Sequence, residues 1–278
     1  MRKRASQAGF SLVELLIVLA IFAIISGAIL GLLNLAQARY RSEQQFLDAF
    51  QGARIGVDQL VRDIHSAGYP PVNAYDTVSA NPASGWDPNG VPVTMIAVPL
   101  VGMVGNNIDQ TCRVNGGVNP CTVPNPWELV IETDQEPDGT VDWIYYRLDR
   151  PGIAATHPPT GGGPLRTLYR AGSVKTCTGP PWVPMQCVGG NPLANTGVPF
   201  VENVTQDPGQ AIDPTNNPAV FTYVCPGGTL AVPGTCNPQD VEEVYIVLRV
   251  RSTLPDLQTG DPRMIVLQGA ARVLNPPQ

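Results

Sequence analysis

The most distinctive part of this 278-residue sequence is GFSLVELLIVLAIFAIISG, from Gly9 to Gly27. From Phe10 to Leu33 the chain carries a single charged side chain, that of Glu14. A helix of about 20 apolar residues, rising about 1.5 Å per residue, is long enough to cross the hydrocarbon core of a bilayer. We therefore predict that this segment forms a membrane-spanning helix.

The charges on either side of the segment predict its orientation. Arg2, Lys3 and Arg4 precede it, whereas the whole chain has 17 Lys and Arg against 23 Asp and Glu, a net charge of −6. By the positive-inside rule, the N-terminus stays in the cytoplasm and the rest of the chain is exported. A cleaved secretory signal has a shorter apolar core followed by a small-residue cleavage site. An uncleaved signal anchor is therefore the simplest interpretation.

Glu14 is unusual within such a helix, because a carboxylate in hydrocarbon costs about 2.5–3.5 kcal/mol and needs a partner. Together with Gly9 and Phe10, it makes the segment resemble the class III signal of type IV prepilins and pseudopilins. In that family a membrane-embedded prepilin peptidase cuts after the glycine and methylates the new N-terminal amine. The resemblance implies a leader at 1–9, cleavage between Gly9 and Phe10, and N-methylation of Phe10. It also implies that Glu14 meets the Phe10 amine of a neighbouring subunit during assembly.

The helical pattern continues beyond the membrane-spanning part, which we place at 10–36. Apolar residues recur at helical spacings, at Phe46, Phe50, Val57, Leu60, Val61 and Ile64. Charged residues occupy other positions, namely Arg54, Asp58, Arg62 and Asp63. Gly68, followed by two prolines, ends the pattern. We predict one helix from about Ser11 to Ser66, of which the amphipathic part, 37–68, packs on an exported head.

Residues 69–278 are predicted to form that head, which is rich in β-structure. The predicted strands are Val91–Val98, Trp127–Thr133, Val141–Leu148, Leu165–Arg170, Ala219–Val224, Val241–Arg251 and Arg263–Leu274. The second and third are joined by an Asp-Gly-containing turn, which indicates a hairpin. The predicted class is α+β: a long N-terminal helix packed on an antiparallel β-sheet, with long Pro/Gly-rich, disulfide-braced loops.

Short segments of the head resemble the PilW family of minor pilins, although less closely than the N-terminus resembles prepilins. They are WIYYRLD (Trp143 to Asp149), LYR (Leu168 to Arg170), PFVENVTQ (Pro199 to Gln206), FTYV (Phe221 to Val224) and VEEVYIVLRV (Val241 to Val250). The same order resembles the J-type minor pseudopilins of type II secretion. The long insertions around 76–126 and 171–198 favour the pilus version. The resemblance implies a low-copy subunit near the filament tip, with other pilins and the inner-membrane assembly platform as partners.

All six cysteines lie in the exported part. Six cysteines allow 15 connectivities, and sequence alone does not choose among them. Pairing of neighbours, each closing a Pro/Gly-rich loop, is the simplest arrangement: Cys112–Cys121, Cys177–Cys187 and Cys225–Cys236. An oxidising periplasm suits disulfides. The competing hypothesis, a zinc site, is disfavoured because the sequence lacks a Cys-x2-Cys spacing.

The segment DQEPDGTVD, from Asp134 to Asp142, resembles the first nine positions of an EF-hand-type calcium loop. Its oxygen donors would be Asp134, Glu136, Asp138, Thr140 and Asp142. The twelfth position is Tyr145, so the bidentate glutamate is missing, and the flanking strands argue against a helix–loop–helix. An acidic hairpin turn is the main interpretation and a weak calcium site is the alternative. We expect no other cofactor.

Composition and motifs disfavour nucleic-acid binding and catalysis. The acidic net charge offers no footprint for a phosphate backbone. The sequence lacks a Walker loop, a dinucleotide fingerprint, G-x-S-x-G and H-E-x-x-H. We therefore expect a structural protein, not an enzyme, that enters the bacterial inner membrane with its head in the periplasm and then joins a pilus or pseudopilus. A signal-anchored periplasmic or surface binding domain is the alternative of a different class.

Overall fold

The structure is a computed structural model that describes residues 11–69, 100, 102–104, 107–109, 126–136, 140–148, 165–175, 177–178, 186–187, 197–230, 241–256 and 259–274. A single long helix, α1 (Leu12–Ser66), precedes strands that form an antiparallel sheet. The predicted α+β class is confirmed. The predicted strand Val91–Val98 lies outside the described residues, as do Cys112, Cys121 and Cys236.

Within the described part of the chain, the helix is followed by β1 (Gly102–Val104), β2 (Asn107–Asp109), β3 (Glu128–Thr133), β4 (Asp142–Leu148), β5 (Arg166–Val174), β6 (Cys177–Thr178), β7 (Gln186–Cys187), β8 (Val198–Val204), β9 (Phe221–Cys225), β10 (Thr229–Leu230), β11 (Glu243–Pro255) and β12 (Pro262–Arg272). The main sheet has the order β10-β9-β11-β8-β5-β4-β3, and β12 pairs with the other edge of β11. Strands β1 and β2 form a separate ribbon, and so do β6 and β7.

Each predicted strand that falls on described residues is present, with its ends shifted by a few positions. The predicted hairpin is confirmed, because β3 and β4 pair in register from Glu128 opposite Arg147 to Thr133 opposite Asp142. The strand pattern does not predict β8. Its alternation is broken by Pro199, its pairing with β5 shifts register twice, and Asn203 has a φ of 61°, in the left-handed region.

The helix begins and ends where the sequence predicts. Ser11 is the N-cap and forms a capping box with Glu14. At the other end Gly68 has a φ of 77°, and its amide donates to the carbonyl of Glu132 over 2.8 Å. The 55 residues of the helix make a rod about 82 Å long. Its contacts with the head begin near Ser42, whose hydroxyl donates to the carbonyl of Pro255 over 3.3 Å.

The core lies between the last third of the helix and the inner face of the sheet. The helix contributes Ala53, Val57, Leu60 and Ile64, all buried. Strand β11 contributes alternate residues, Val244, Ile246, Leu248 and Val250, each with no exposed surface. The residues between them are less buried over this stretch, so the strand is covered mainly on the face toward the helix. Glycines allow the closest approaches, because a Cβ on Gly56 would lie 2.3 Å from a methyl group of Val201 and one on Gly269 would lie 2.8 Å from Val57.

One edge of β11 is shared by two strands, with β9 along its first part and β8 at Val250. Between β9 and β8, the fully buried side chain of Gln206 makes the hydrogen bonds to the backbone of β11. Its amide donates to the carbonyls of Val247 over 2.7 Å and Pro218 over 3.0 Å, and it accepts from the amide of Arg249 over 2.9 Å. The side chain therefore satisfies backbone groups that would otherwise be buried without partners.

The two helical glycines Gly56 and Gly52 provide a matched test of this packing. Alanine is the better helix former by about 1 kcal/mol, and nothing lies within 4 Å of a Cβ placed on Gly52. Gly52→Ala should therefore raise the free energy of unfolding by up to about 1 kcal/mol. Gly56→Ala should lower it by about 1–3 kcal/mol, since the new methyl group collides with Val201. Urea unfolding of the full chain in detergent checks this, and equal gains for both variants would contradict it.

Candidate functional site

The surface that most needs an explanation is the first part of α1, residues 12–35, which we call the stem. Its large apolar side chains, from Leu12 to Leu35, are 45–73% exposed. None of the most apolar part of the helix is buried. The stem is about 36 Å long, against about 30 Å for the hydrocarbon core of a bilayer. By length and composition it is able to cross a membrane.

Two glycines lie within the stem, Gly27 and Gly31, and nothing lies within 4 Å of a Cβ placed on either. Among the described residues, therefore, no neighbouring helix packs closely against either glycine. Close packing with another subunit and local unwinding of the stem both remain open for these two positions.

Glu14 lies in the first turn of the stem, where its carboxylate faces the positive end of the helix dipole. Its Oε2 atom accepts a hydrogen bond from the amide of Ser11 over 3.0 Å. The hydroxyl of Ser11 accepts in turn from the amide of Val13 over 3.4 Å. Gly9 and Phe10 lie outside the described residues, so cleavage, methylation and the pairing of Glu14 with an N-terminal amine stay predictions.

At the other end of the helix, a buried carboxylate holds the helix to the sheet. Asp63 accepts from the hydroxyl of Tyr146 on β4, from the guanidinium of Arg170 on β5 over 3.1 Å, and from the side-chain amide of Gln59 over 2.6 Å. We call these four residues the Asp63 clamp. The helical pattern sets Asp63 apart from the apolar stripe and does not indicate that it is buried, yet only 4% of Asp63 is exposed.

The charges and protons within the clamp match one another. Burial, together with the adjacent Asp63 carboxylate, raises the pKa of Tyr146, so the phenol stays protonated and donates. Arg170 adds a hydrogen bond to the hydroxyl of Tyr146 over 2.9 Å and lies 5.8 Å from the centre of that ring. Phe200 packs against the same ring at 5.2 Å between centroids. Helix, β4, β5 and β8 therefore meet at one point.

A second buried polar cluster lies on the face of β3 and β4 that points away from the helix. Lys175 and Glu132 form an ion pair at 2.7 Å, with side chains 5% and 4% exposed. The indole of Trp143 donates to the other oxygen of Glu132 over 2.8 Å. Nearby, burial raises the pKa of Glu128. The guanidinium of Arg147, 3.2 Å from the Glu128 carboxylate, acts in the opposite direction and lowers that pKa. The unbroken apolar run in β4 is the sequence signal that both faces of this strand are covered.

The acidic segment after β3 is only partly described. Asp134 and Glu136 follow the strand, Thr140 precedes β4, Asp142 is its first residue, and Asp138 lies outside the described residues. Among described residues, no group of three or more His, Cys, Asp or Glu side chains is arranged to hold a metal ion. The calcium site stays a prediction.

The cysteines are described in part. Cys225, at the end of β9, is disulfide-bonded. Cys177 and Cys187 lie directly opposite each other in the β6–β7 ribbon. The predicted pairs Cys112–Cys121, Cys177–Cys187 and Cys225–Cys236 stay predictions.

Among the described residues, one helix is long and apolar enough to span a membrane, which is consistent with membrane anchoring. Residues 4–30 match the family model described as the prokaryotic N-terminal methylation motif. This match spans Gly9, Phe10 and Glu14 and supports a type IV pilin-like protein. The motif implies processing by prepilin peptidase and assembly with pilins. No curated protein and no solved structure matches the chain.

Asp63→Asn tests the clamp. The substitution leaves Arg170 half-buried beside a neutral amide. We therefore expect the free energy of unfolding to fall by about 2–3 kcal/mol. This is less than the loss for a fully buried ion pair, because Arg170 is partly exposed. Asp58→Asn removes the same charge from an exposed position on the same helix and should change stability by less than about 0.5 kcal/mol. Urea unfolding in detergent measures both. Equal effects would show that Asp63 contributes no more than a surface charge.

Calcium binding would stabilise the folded head by mass action. If Asp134 and its neighbours bind calcium, added EDTA should lower the melting temperature of the full chain, and calcium but not magnesium should restore it. Asp134→Asn should abolish the calcium response while leaving the melting temperature in EDTA unchanged. An EDTA-independent melting temperature for the wild-type chain would leave an acidic hairpin turn as the only interpretation.

Proposed function

We propose that this protein is a minor type IV pilin, a structural subunit that primes or joins a pilus filament. The observation that carries the proposal is the prepilin-type motif at the start of a stem whose apolar surface has no partner within the described chain. A lone membrane anchor needs only lipid around it. The prepilin-type motif, in contrast, is typical of proteins whose stems leave the membrane and assemble with similar helices.

The proposed sequence of events begins with insertion, the N-terminus in the cytoplasm and the head in the periplasm. Prepilin peptidase then removes residues 1–9 and methylates the amine of Phe10. During extraction, neighbouring stems replace lipid around the apolar surface, and the Glu14 carboxylate pairs with the amine of an adjacent subunit. That pairing would lower the cost of keeping a charge in an apolar environment.

The head supplies partner contacts, not catalysis, in this proposal. Contacts from Ser42 to Ser66, which include the close approach at Gly56 and the Asp63 clamp, join the head to the helix along about 36 Å of rod. A pull on the stem therefore moves both together. The J-type minor pseudopilin of type II secretion is the second candidate, because it shares the motif and the helix-on-sheet plan. The long insertions around 76–126 and 171–198 favour the pilin.

Intact mass spectrometry tests processing. The protein is isolated without reductant from membranes that contain prepilin peptidase and, in parallel, from membranes that lack it. We expect loss of residues 1–9, gain of one methyl group and a deficit of six hydrogens, the last for three disulfides, in the first sample. A full-length, unmethylated chain in both would indicate a signal-anchored binding domain and end the pilin proposal.

Two substitutions at Glu14 separate the roles of its charge and its hydrogen bond. Glu14→Gln keeps an oxygen that can accept from the Ser11 amide, whereas Glu14→Ala removes both the charge and the acceptor. If charge pairing drives assembly, both variants should be cleaved normally and both should be depleted from sheared filaments at least tenfold. Wild-type incorporation of Glu14→Gln would show that helix capping, and not charge, is the function of this residue.

A further inference from the structure

We propose that Arg39, Tyr40 and Arg41 bind the phosphate groups of an anionic lipid surface while the protein is anchored in the membrane. These three consecutive residues, which we call the collar, lie just beyond the stem on the side of the head. The proposal depends on membrane insertion of the stem and not on the proposed function as a pilin.

Position is the first argument. The stem ends at Leu35, and Arg39 follows it by four residues, a rise of about 6 Å. The polar headgroup layer on each side of a bilayer is about 5–7 Å thick. A stem of about 36 Å fits within about 30 Å of hydrocarbon when the helix tilts. A helix that buries its stem in this way places the collar at the level of the lipid phosphates. Tyrosine side chains are typical of that layer on both sides of a membrane, and arginines close to an anionic lipid surface are attracted to it.

Availability is the second argument. All three collar side chains are exposed, Tyr40 by 69%. Among the described residues, Arg39 and Arg41 make no salt bridge, whereas Arg147, Arg166, Arg170 and Arg263 are each paired with a carboxylate. Consecutive helical residues point about 100° apart, so Arg39 and Arg41 lie on different sides of the rod. They reach lipids around the helix and not one point on one neighbour, which favours a lipid surface over a protein partner.

The position of the head is the third argument. Ser42 and Gln45, within two turns of the collar, hydrogen-bond to Pro255 and Thr253 at the end of β11. The turn between β11 and β12 therefore lies at the level of the collar. Acidic groups here are partly neutralised, because Arg263 pairs with both Glu43, at 2.8 Å, and Asp256. Asp261 in the same turn is exposed and negatively charged, so this end of the head does not itself attract anionic lipid. The proposed contact therefore depends on Arg39 and Arg41.

The test uses the full chain in nanodiscs of equimolar phosphatidylcholine and phosphatidylglycerol, with retained lipids counted by native mass spectrometry. Each arginine near the surface should favour the anionic lipid about fivefold. We expect the wild-type chain to retain phosphatidylglycerol preferentially and Arg39→Gln/Arg41→Gln to lose most of that preference. Because Arg2, Lys3 and Arg4 in the leader are present in every variant, the difference between variants reports on the collar.

The matched control is Arg54→Gln/Arg62→Gln, which removes the same charge from exposed positions on the same helix at least about 20 Å farther from the membrane. It should retain the wild-type preference. An unchanged preference in the collar variant, or an equal loss in both variants, would overturn the proposal. So would a collar variant that keeps its lipid preference but fails to enter filaments, because the arginines would then bind a protein partner.

Discussion

The constraint on which the rest of the molecule depends is the need to cover the stem. Its sixteen large apolar side chains are all largely exposed in the single chain. Burying one such side chain contributes about 1.5–3 kcal/mol, so covering the stem contributes tens of kcal/mol. A folded domain is stable by only about 5–15 kcal/mol in total. Lipid or neighbouring helices must therefore surround the stem at every stage, and its environment governs where the protein resides.

A helix held in such an environment is useful only if its head is attached firmly. The head achieves this with contacts of three kinds on one stretch of rod: an apolar stripe, close approaches at Gly56 and Gly269, and the Asp63 clamp. The clamp fixes the rotation of the helix about its own axis, because a buried carboxylate that accepts from two strands keeps both hydrogen bonds in only one orientation of the helix. The same chain therefore combines an uncovered stem with a fixed head.

Much of this could be predicted from sequence because the signals are periodic and local. Helical spacing of apolar residues and Gly68 gave the extent of the helix. Local residue patterns gave the strands, and an Asp-Gly-containing turn gave the β3–β4 hairpin. Irregular features escaped prediction. Strand β8 is bulged and contains Pro199, so it lacks the alternation that identifies a strand. The side chain of Gln206 makes the hydrogen bonds to the β11 backbone that a neighbouring strand would otherwise make, and no local sequence pattern indicates this.

By itself, the sequence determined that the chain has a membrane-length helix, a prepilin-type motif and a β-rich head, because these follow from residues close together along the chain. Only the tertiary structure decided which polar residues are buried. Asp63 and Tyr146 are 83 positions apart and Asp63 and Arg170 are 107 apart. Whether a charged helical residue faces solvent or a partner depends on what the sheet brings beside it, and that is set by strand order and register, not by helical spacing.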